Sequence, residues 1–330
     1  MIRSVTTKFI MNTLDFAAVQ AAAKRIAGHV RRTPVQTSQT LDRLAGREVY
    51  CKCENFQTTG SFKYRGATNA VGSLDPALAA RGVVTHSSGN HGQALARAAQ
   101  ALGVPCVVVM PAAASRIKKD AILGYGASVV ESGPSLTDRE EVVKQVLAER
   151  GGAFVPPFDH PDVIAGQGTA MLELLEEVPD LDAVVAPIGG GGLISGFCIA
   201  AKGFNPKIRI FGAEPTGANA AALSKQAGER VQISTPTSIA DGLLANRIGE
   251  LTWPVIRDSV EQIFQVSEEQ IAAAMRLIWE RMKLVIEPSA GVGIAVILSE
   301  EFRALPGIKK VGVVLCGGNV ALDKLPWKQN

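Results

Sequence analysis

The sequence predicts an α/β protein of two lobes, each a mainly parallel sheet covered by helices. Two observations predict it. Short apolar runs of strand length alternate with longer stretches of helical period, the pattern that winds a parallel sheet between helices. The chain has 330 residues, enough for two lobes and a substantial core, and its 47% hydrophobic and 20% charged content is that of a globular protein.

In chain order, residues 14–32 read as an amphipathic helix. From about residue 82 a small lobe begins, with strands expected at 83–85, 106–110, 128–131 and 153–155. Its helices are expected over 92–102, 115–125 and 139–151. A larger lobe returns near residue 162, with strands at 183–187, 209–214 and 311–316 and flanking helices over 267–282 and 291–302. The expected organisation is a discontinuous large domain, 1–80 with 160–330, and a small mobile domain, 81–159. Ligands of such sheets bind between lobes at the carboxyl ends of the strands, and closure of the small lobe would exclude water.

A net charge of +3 is nearly neutral for this length and implies no nucleic-acid or membrane partner. There is no long uncharged apolar span, and residues 1–12 lack the apolar core of a signal peptide. The five cysteines, Cys51, Cys53, Cys106, Cys198 and Cys316, are odd in number and mostly in apolar settings. That suggests reduced thiols and a cytoplasmic location. Cys51-Lys52-Cys53 lacks the second ligand pair of a metal site and reads as a strand with alternating faces.

Four motifs carry chemistry. Gly189-Gly190-Gly191-Gly192 lies between a buried strand and a helix start, where free N–H groups and the helix dipole suit a phosphate. A flexible linker rarely separates apolar segments of opposite period. No Gly-Lys-Ser/Thr follows the glycines and no spaced dinucleotide fingerprint is present, so a lone phosphate on a cofactor or substrate fits better. In Thr59-Gly60-Ser61-Phe62-Lys63 a lysine follows a Gly-Ser turn and precedes an alanine-rich helix over 67–71. Ser87-Ser88-Gly89-Asn90-His91-Gly92 places small polar groups where a helix opens, as a carboxylate or phosphate site requires. The apolar run 311–315 ends in Cys316-Gly317-Gly318-Asn319.

Together with Val163-Ile164-Ala165-Gly166-Gln167-Gly168-Thr169, Ile239-Ala240-Asp241-Gly242 and Glu287-Pro288-Ser289-Ala290-Gly291, these motifs resemble the fold type II (β-family) pyridoxal-phosphate enzymes. Within that family the chain looks most like serine racemase and the serine/threonine dehydratases, over nearly its whole length. The resemblance implies the tryptophan synthase β-like fold, pyridoxal 5'-phosphate as cofactor and a homodimer. It implies that Lys63 holds the cofactor covalently and then takes the α-proton. Gly189, Gly190, Gly191 and Gly192 would bind the phosphate, Asn90 the phenolic oxygen, and Cys316 would face the pyridine nitrogen. Ser87, Ser88, Asn90 and His91 would cradle the substrate carboxylate, and Ser88 could reprotonate the α-carbon from the other side. Arg139 matches an arginine that meets a second carboxylate, which raises 3-hydroxyaspartate as a substrate, whereas Ala245 replaces a serine that helps to bind a dicarboxylate.

The chain also departs from the pattern. Glu214 and the Ala218 carbonyl match two ligands of the family's divalent-cation (Mg) site, but the third, an Asp, is Ala220 here. Gln39 and Thr58 stand where the mammalian racemase has a serine and a lysine of its nucleotide site, so ATP activation is not expected. No C-terminal regulatory domain is expected beyond Asn319. The leading expectation is a dehydratase that removes water from a β-hydroxy amino acid to give a 2-oxo acid and ammonia. The alternatives are an amino-acid racemase with elimination as a side reaction, and a non-catalytic cofactor-binding protein on the same fold.

Overall fold

The computed structural model describes residues 14–87, 89–114 and 116–327, with Ile117 described by its backbone alone. Helix α1 (Phe16–Ile26) opens the described chain, capped by the Asp15 side chain, which accepts from the Ala18 N–H. It stops short of residue 32 because Ala27 leaves the helical region and Gly28 takes a left-handed φ of 81°. Strand β1 (Val35–Gln36), α2 (Gln39–Ala45), β2 (Glu48–Lys52) and α3 (Lys63–Gly72) follow. Lys63 is thus the first residue of α3, ahead of the alanine-rich stretch that marks this helix in the sequence. Tertiary contacts extend the helix: the Phe62 N–H donates to the Cys316 carbonyl at 3.1 Å, and Arg65 is fixed by buried carboxylates described below.

After α4 (Pro76–Ala80) come β3 (Val83–His86), α5 (Asn90–Leu102), β4 (Cys106–Pro111), α6 (Arg116–Gly124), β5 (Ser128–Ser132), α7 (Leu136–Arg150) and β6 (Ala153–Phe154). The four strands form a parallel sheet of order β5-β4-β3-β6. Helix α7 starts before residue 139 because Ser135 and Asp138 close a capping box around its first turn.

The chain then runs through α8 (Pro161–Glu177), β7 (Ala183–Pro187), α9 (Gly192–Phe204), β8 (Arg209–Pro215), α10 (Ala220–Ala227), α11 (Thr252–Ser259), β9 (Gln262–Val266), α12 (Glu268–Met282), α13 (Pro288–Leu298), α14 (Glu300–Arg303) and β10 (Lys310–Val314). The second sheet has the order β1-β2-β10-β7-β8-β9, parallel except for the β1–β2 pair. The helix expected over 291–302 is two helices, with Ser299 ending α13 and capping α14. The strand expected to reach residue 316 ends at Val314, so Cys316 sits in the loop beyond it.

Two constraints bring α3 to its place. The first is backbone proximity. A Cβ on Gly166 of α8 would lie 2.6 Å from the Gly66 Cα of α3, and one on Gly196 of α9 would lie 2.5 Å from the Gly168 nitrogen of α8. Any side chain there would push the three helices apart. The second is a buried charge cluster. Arg65 donates to Glu54 through Nε and Nη2, both at 2.8 Å, and to Glu173 at 2.6 and 2.8 Å. Lys52 donates to Glu173 and to the Thr33 carbonyl, both at 2.7 Å. Thr33 Oγ1 donates to Glu54 at 2.6 Å. The strand reading of Cys51-Lys52-Cys53 holds only in part: Lys52 is as buried as both cysteines, because Glu173 neutralises it inside the protein.

All five cysteines are free and buried. Among the described residues, no helix is long and apolar enough to cross a membrane.

Replacing Arg65 by Met should leave buried Glu54 without its cation and Glu173 with Lys52. We expect a stability loss of about 3–5 kcal/mol, read from the denaturant midpoint.

Candidate active site

The carboxyl ends of β3, β7 and β10 converge on one cavity of about 500 Å³. Its walls bring together Lys63, Ser87, Asn90, His91, Arg139, the glycine run 189–192 and Cys316, which the sequence had placed in separate motifs. Ser88 lies outside the described residues.

Lys63 is half-buried at the start of α3, and its Nζ donates to the Pro157 carbonyl at 2.6 Å. Desolvation lowers its pKa to about 8, against the opposing pull of Cys316 and Glu287. At neutral pH about a tenth of the molecules then carry the uncharged amine that a nucleophile and base requires, far more than for an ordinary lysine.

The glycine loop is packed on its outer side by protein. A Cβ on Gly190 would fall within the Phe158 ring, and one on Gly192 would lie 3.0 Å from the Phe158 Cβ. At Gly191, whose φ is 95°, a Cβ would lie 2.6 Å from Ile256 Cδ1. So the missing side chains are required by close-packed neighbours, and the loop keeps its amides free. Among the described residues, the N–H groups of Gly189, Gly190 and Gly191 find no protein acceptor. The Gly190 carbonyl is held from behind by Thr252 Oγ1 at 2.8 Å and the Gly249 N–H at 3.2 Å. Asp159 in turn accepts from the Glu250 and Leu251 N–H groups at 2.7 and 2.9 Å. Pro157-Phe158-Asp159 thereby touches Lys63, the glycine loop and the segment that supports it.

The helix α5 N-terminus offers a second set of free amides. Ser87 Oγ accepts from the Gly89 N–H at 3.3 Å. The His91 imidazole is turned into the protein, with Nε2 3.0 Å from the Val155 carbonyl, and burial and then Lys63 lower its pKa to about 3. It stays neutral. Asn90 Nδ2 donates to both oxygens of Glu287, at 2.9 and 3.2 Å. Glu287 is a buried acid that the motif reading left without a role. Desolvation raises its pKa to about 7, opposed by its hydrogen bond from Asn90. The only sequence signal is an acidic residue directly before the proline that starts α13. The Cys316 thiol is also buried, and desolvation raises its pKa well above the usual thiol value.

Arg139 lines the cavity and its Nε donates to the Ser135 carbonyl at 3.2 Å. Lys118, also in the wall, lies 3.7 Å from Asp241 across the mouth.

The residues of the expected cation site do not fit a hard divalent ion. Glu214 is wholly buried, its two oxygens accept from the Ala221 and Ala222 N–H groups at 2.9 and 2.8 Å, and desolvation raises its pKa to about 8. Ala218 and Ala220 add no side-chain oxygen. Glu214 serves instead as the acceptor for the free amides at the α10 N-terminus.

Free loop amides, a desolvated lysine and a buried thiol around one cavity are the features that a pyridoxal-phosphate site of the fold type II kind would use. A profile described as "Pyridoxal-phosphate dependent enzyme" matches residues 26–317, and the chain belongs to that family. It is 49% identical to a serine racemase of Dictyostelium discoideum over 318 residues, covering 96% of this chain and 98% of that protein. It is 50% identical to a beta-hydroxyaspartate dehydratase of Paracoccus denitrificans (strain Pd 1222) over 307 residues, covering 93% and 96%. The crystal structure of a T.th. threonine deaminase superposes with a TM-score of 0.88 at 41% identity, covering 93% of this chain and 99% of that one.

Cofactor uptake by the apo-protein should accelerate as pH rises through about 8 and level off above it, because below that pH Lys63 is mostly protonated and cannot attack. Stopped-flow absorbance checks this. Gly190→Ala should force the Phe158 ring from the loop and weaken cofactor binding about tenfold or more, the equivalent of about 1–3 kcal/mol of overpacking. Equilibrium titration of the apo-protein measures it.

Proposed function

We propose that this protein is a pyridoxal-phosphate dehydratase of β-hydroxy amino acids, with a dicarboxylic substrate such as 3-hydroxyaspartate favoured. The observation that carries the reading is Lys63, a desolvated amine in the same cavity as the free loop amides and Arg139. The 50% identity to a beta-hydroxyaspartate dehydratase supports the substrate class. We take residues 81–159 as the mobile part that closes over the substrate.

When bound, pyridoxal phosphate withdraws electrons from the substrate's α-carbon and so acidifies its proton. The chain supplies position and proton transfer. The Gly189–Gly192 amides would hold the phosphate, which fixes the ring relative to Lys63. Lys63 would release the cofactor on substrate arrival and, as a neutral amine, take the α-proton. The α5 N-terminal amides with Ser87 and Ser88 would hold the α-carboxylate, and the neutral His91 would shape that pocket from behind. Cys316, a neutral thiol, is a weak donor and acceptor and would not keep a proton on the ring nitrogen. With no proton held there, the site would favour loss of the β-hydroxyl, leaving as water with the proton that Lys63 has taken, over reprotonation of the α-carbon. The product then hydrolyses to a 2-oxo acid and ammonia. Arg139 would meet the second carboxylate of a dicarboxylic substrate.

The racemase reading is favoured by one sequence observation, a serine at position 88, and by the 49% identity to a serine racemase. Chiral analysis of residual substrate separates the two. We expect 2-oxo acid release from a 3-hydroxyaspartate diastereomer to exceed that from L-serine and L-threonine. Arg139→Ala should lower kcat/KM for the dicarboxylic substrate by roughly 10²-fold or more, the loss of a charge-assisted pair, and leave L-threonine nearly unchanged. A parallel fall for both would remove Arg139 from the site. Racemisation that outpaces oxo-acid release in the wild type would reverse the main reading.

A further inference from the structure

Asn90 carries a carboxamide, which can present either an oxygen or an N–H group to a ligand. The surrounding contacts decide which. Asn319 Nδ2 donates to the Thr59 carbonyl and to Asn90 Oδ1, both at 2.8 Å. Asn90 Nδ2 donates to Glu287, and the Asn319 backbone N–H donates to the same carboxylate at 3.1 Å. The chain of contacts therefore starts at a peptide carbonyl, which only accepts, and ends at a carboxyl group that accepts from both Asn90 Nδ2 and the Asn319 N–H. Each amide between them has one satisfying orientation. Reversing Asn90 would set its oxygen against Glu287 and its NH₂ against the NH₂ of Asn319.

The backbone around this chain is shaped to permit it. Thr59 takes φ 66°, a left-handed conformation that a β-branched residue adopts only under constraint. A Cβ on Gly60 would lie 2.5 Å from Asn319 Oδ1, and a Cβ on Gly317 would lie 2.7 Å from the Glu287 carboxyl carbon. Both glycines make room for the side chains that hold Asn90. The contacts join the loop before Lys63, the start of α5, the start of α13 and the loop after β10. None of Thr59, Glu287 or Asn319 is needed to bind a cofactor directly for this to matter.

We infer that Glu287 and Asn319 are positioning residues: they clamp the Asn90 carboxamide so that its remaining Nδ2 hydrogen meets the cofactor's ring oxygen as a fixed donor. A donor at that place favours the ionised ring oxygen over the protonated one. The inference rests on the proposed role of Asn90 and deepens it.

Equilibrium titration of apo-protein with pyridoxal phosphate tests the clamp without any substrate. Asn90→Ala, Asn319→Ser and Glu287→Leu are each expected to weaken binding about tenfold, the scale of one hydrogen bond to a charged group. Adding Asn90→Ala to either of the others should cost no more than a further factor of about two, because all three act through one amide. Glu287→Gln, which still accepts, should recover most of the affinity lost in Glu287→Leu. The absorption spectrum of the bound cofactor should shift in Asn319→Ser in the same direction as in Asn90→Ala. Losses that multiply in the double variants, or a spectrum unchanged in Asn319→Ser, would overturn the clamp while leaving Asn90 as a ligand. Unchanged affinity and spectrum in Asn90→Ala would remove Asn90 from the cofactor and the clamp with it. If Glu287→Leu does not fold, the cycle of Asn319→Ser with Asn90→Ala decides alone.

Discussion

The site depends on where α3 begins, and that is set by the ion cluster around Arg65. Arg65 and Lys63 are two residues apart, the first fully buried and the second half-buried, yet their pKa values shift in opposite directions. At Arg65 burial alone would lower the pKa, but two carboxylates at 2.6–2.8 Å more than reverse it, so the guanidinium stays charged and fixed. At Lys63 the direct partner is one neutral carbonyl, and desolvation wins. One turn of helix thus carries a permanent charge that anchors it and an amine poised to lose its charge. The anchor is neutral overall, Arg65 and Lys52 against Glu54 and Glu173, which is why it can sit inside the protein.

Close backbone packing transmits that anchor to the glycine loop. α8 touches α3 through Gly166 and Gly66, and α9 through Gly168 and Gly196. α9 begins at Gly192, the last of the four loop glycines. The distance between the lysine and the loop amides is therefore fixed by helices in backbone contact, with no intervening side chain whose rotamer could vary it. Phe158 closes the arrangement from the outer side of the loop, and its neighbour Pro157 gives its carbonyl to Lys63.

Much of this was legible in the sequence, and what was missed has physical causes. Apolar runs mark strands such as Ala183–Pro187, because a strand buried on both faces needs apolar side chains on both. Phe62, Lys63, the glycine run and Cys316 line one cavity, as the family resemblance of their motifs led one to expect. Buried charges were not legible: Lys52 sits in what looked like a half-exposed strand, and its partner Glu173 is 121 residues away. The long α8 carries two glycines, Gly166 and Gly168, whose role is to let neighbouring backbones approach, so its helical signal is weak. Edge strands β1 and β9 are short or lightly apolar and left no clear run. Glu287 belongs to a legible motif but has no legible role, because its contact with Asn90 joins distant segments, and Glu214 is matched to a cation ligand of the family because the helix-end amides it accepts from are invisible until α10 is placed.

The charge distribution gives the proposed substrate preference its logic. The phosphate would be bound by neutral backbone amides, so no arginine or lysine is needed to hold it. The cavity wall contains Lys118, Arg139 and Arg247 in addition to Lys63, against Asp241 and Glu287. Lys118 is engaged with Asp241, and Glu287 with Asn90 and Asn319. Among the described residues, Arg139 and Arg247 form no ion pair. Two cations without carboxylate partners, beside a cofactor site that asks for neither, favour a substrate that brings an anion beyond its α-carboxylate. Ala245 offers no side-chain hydroxyl in the same wall, so in the proposed reading recognition of the second carboxylate would fall to charge-assisted hydrogen bonds from the arginines.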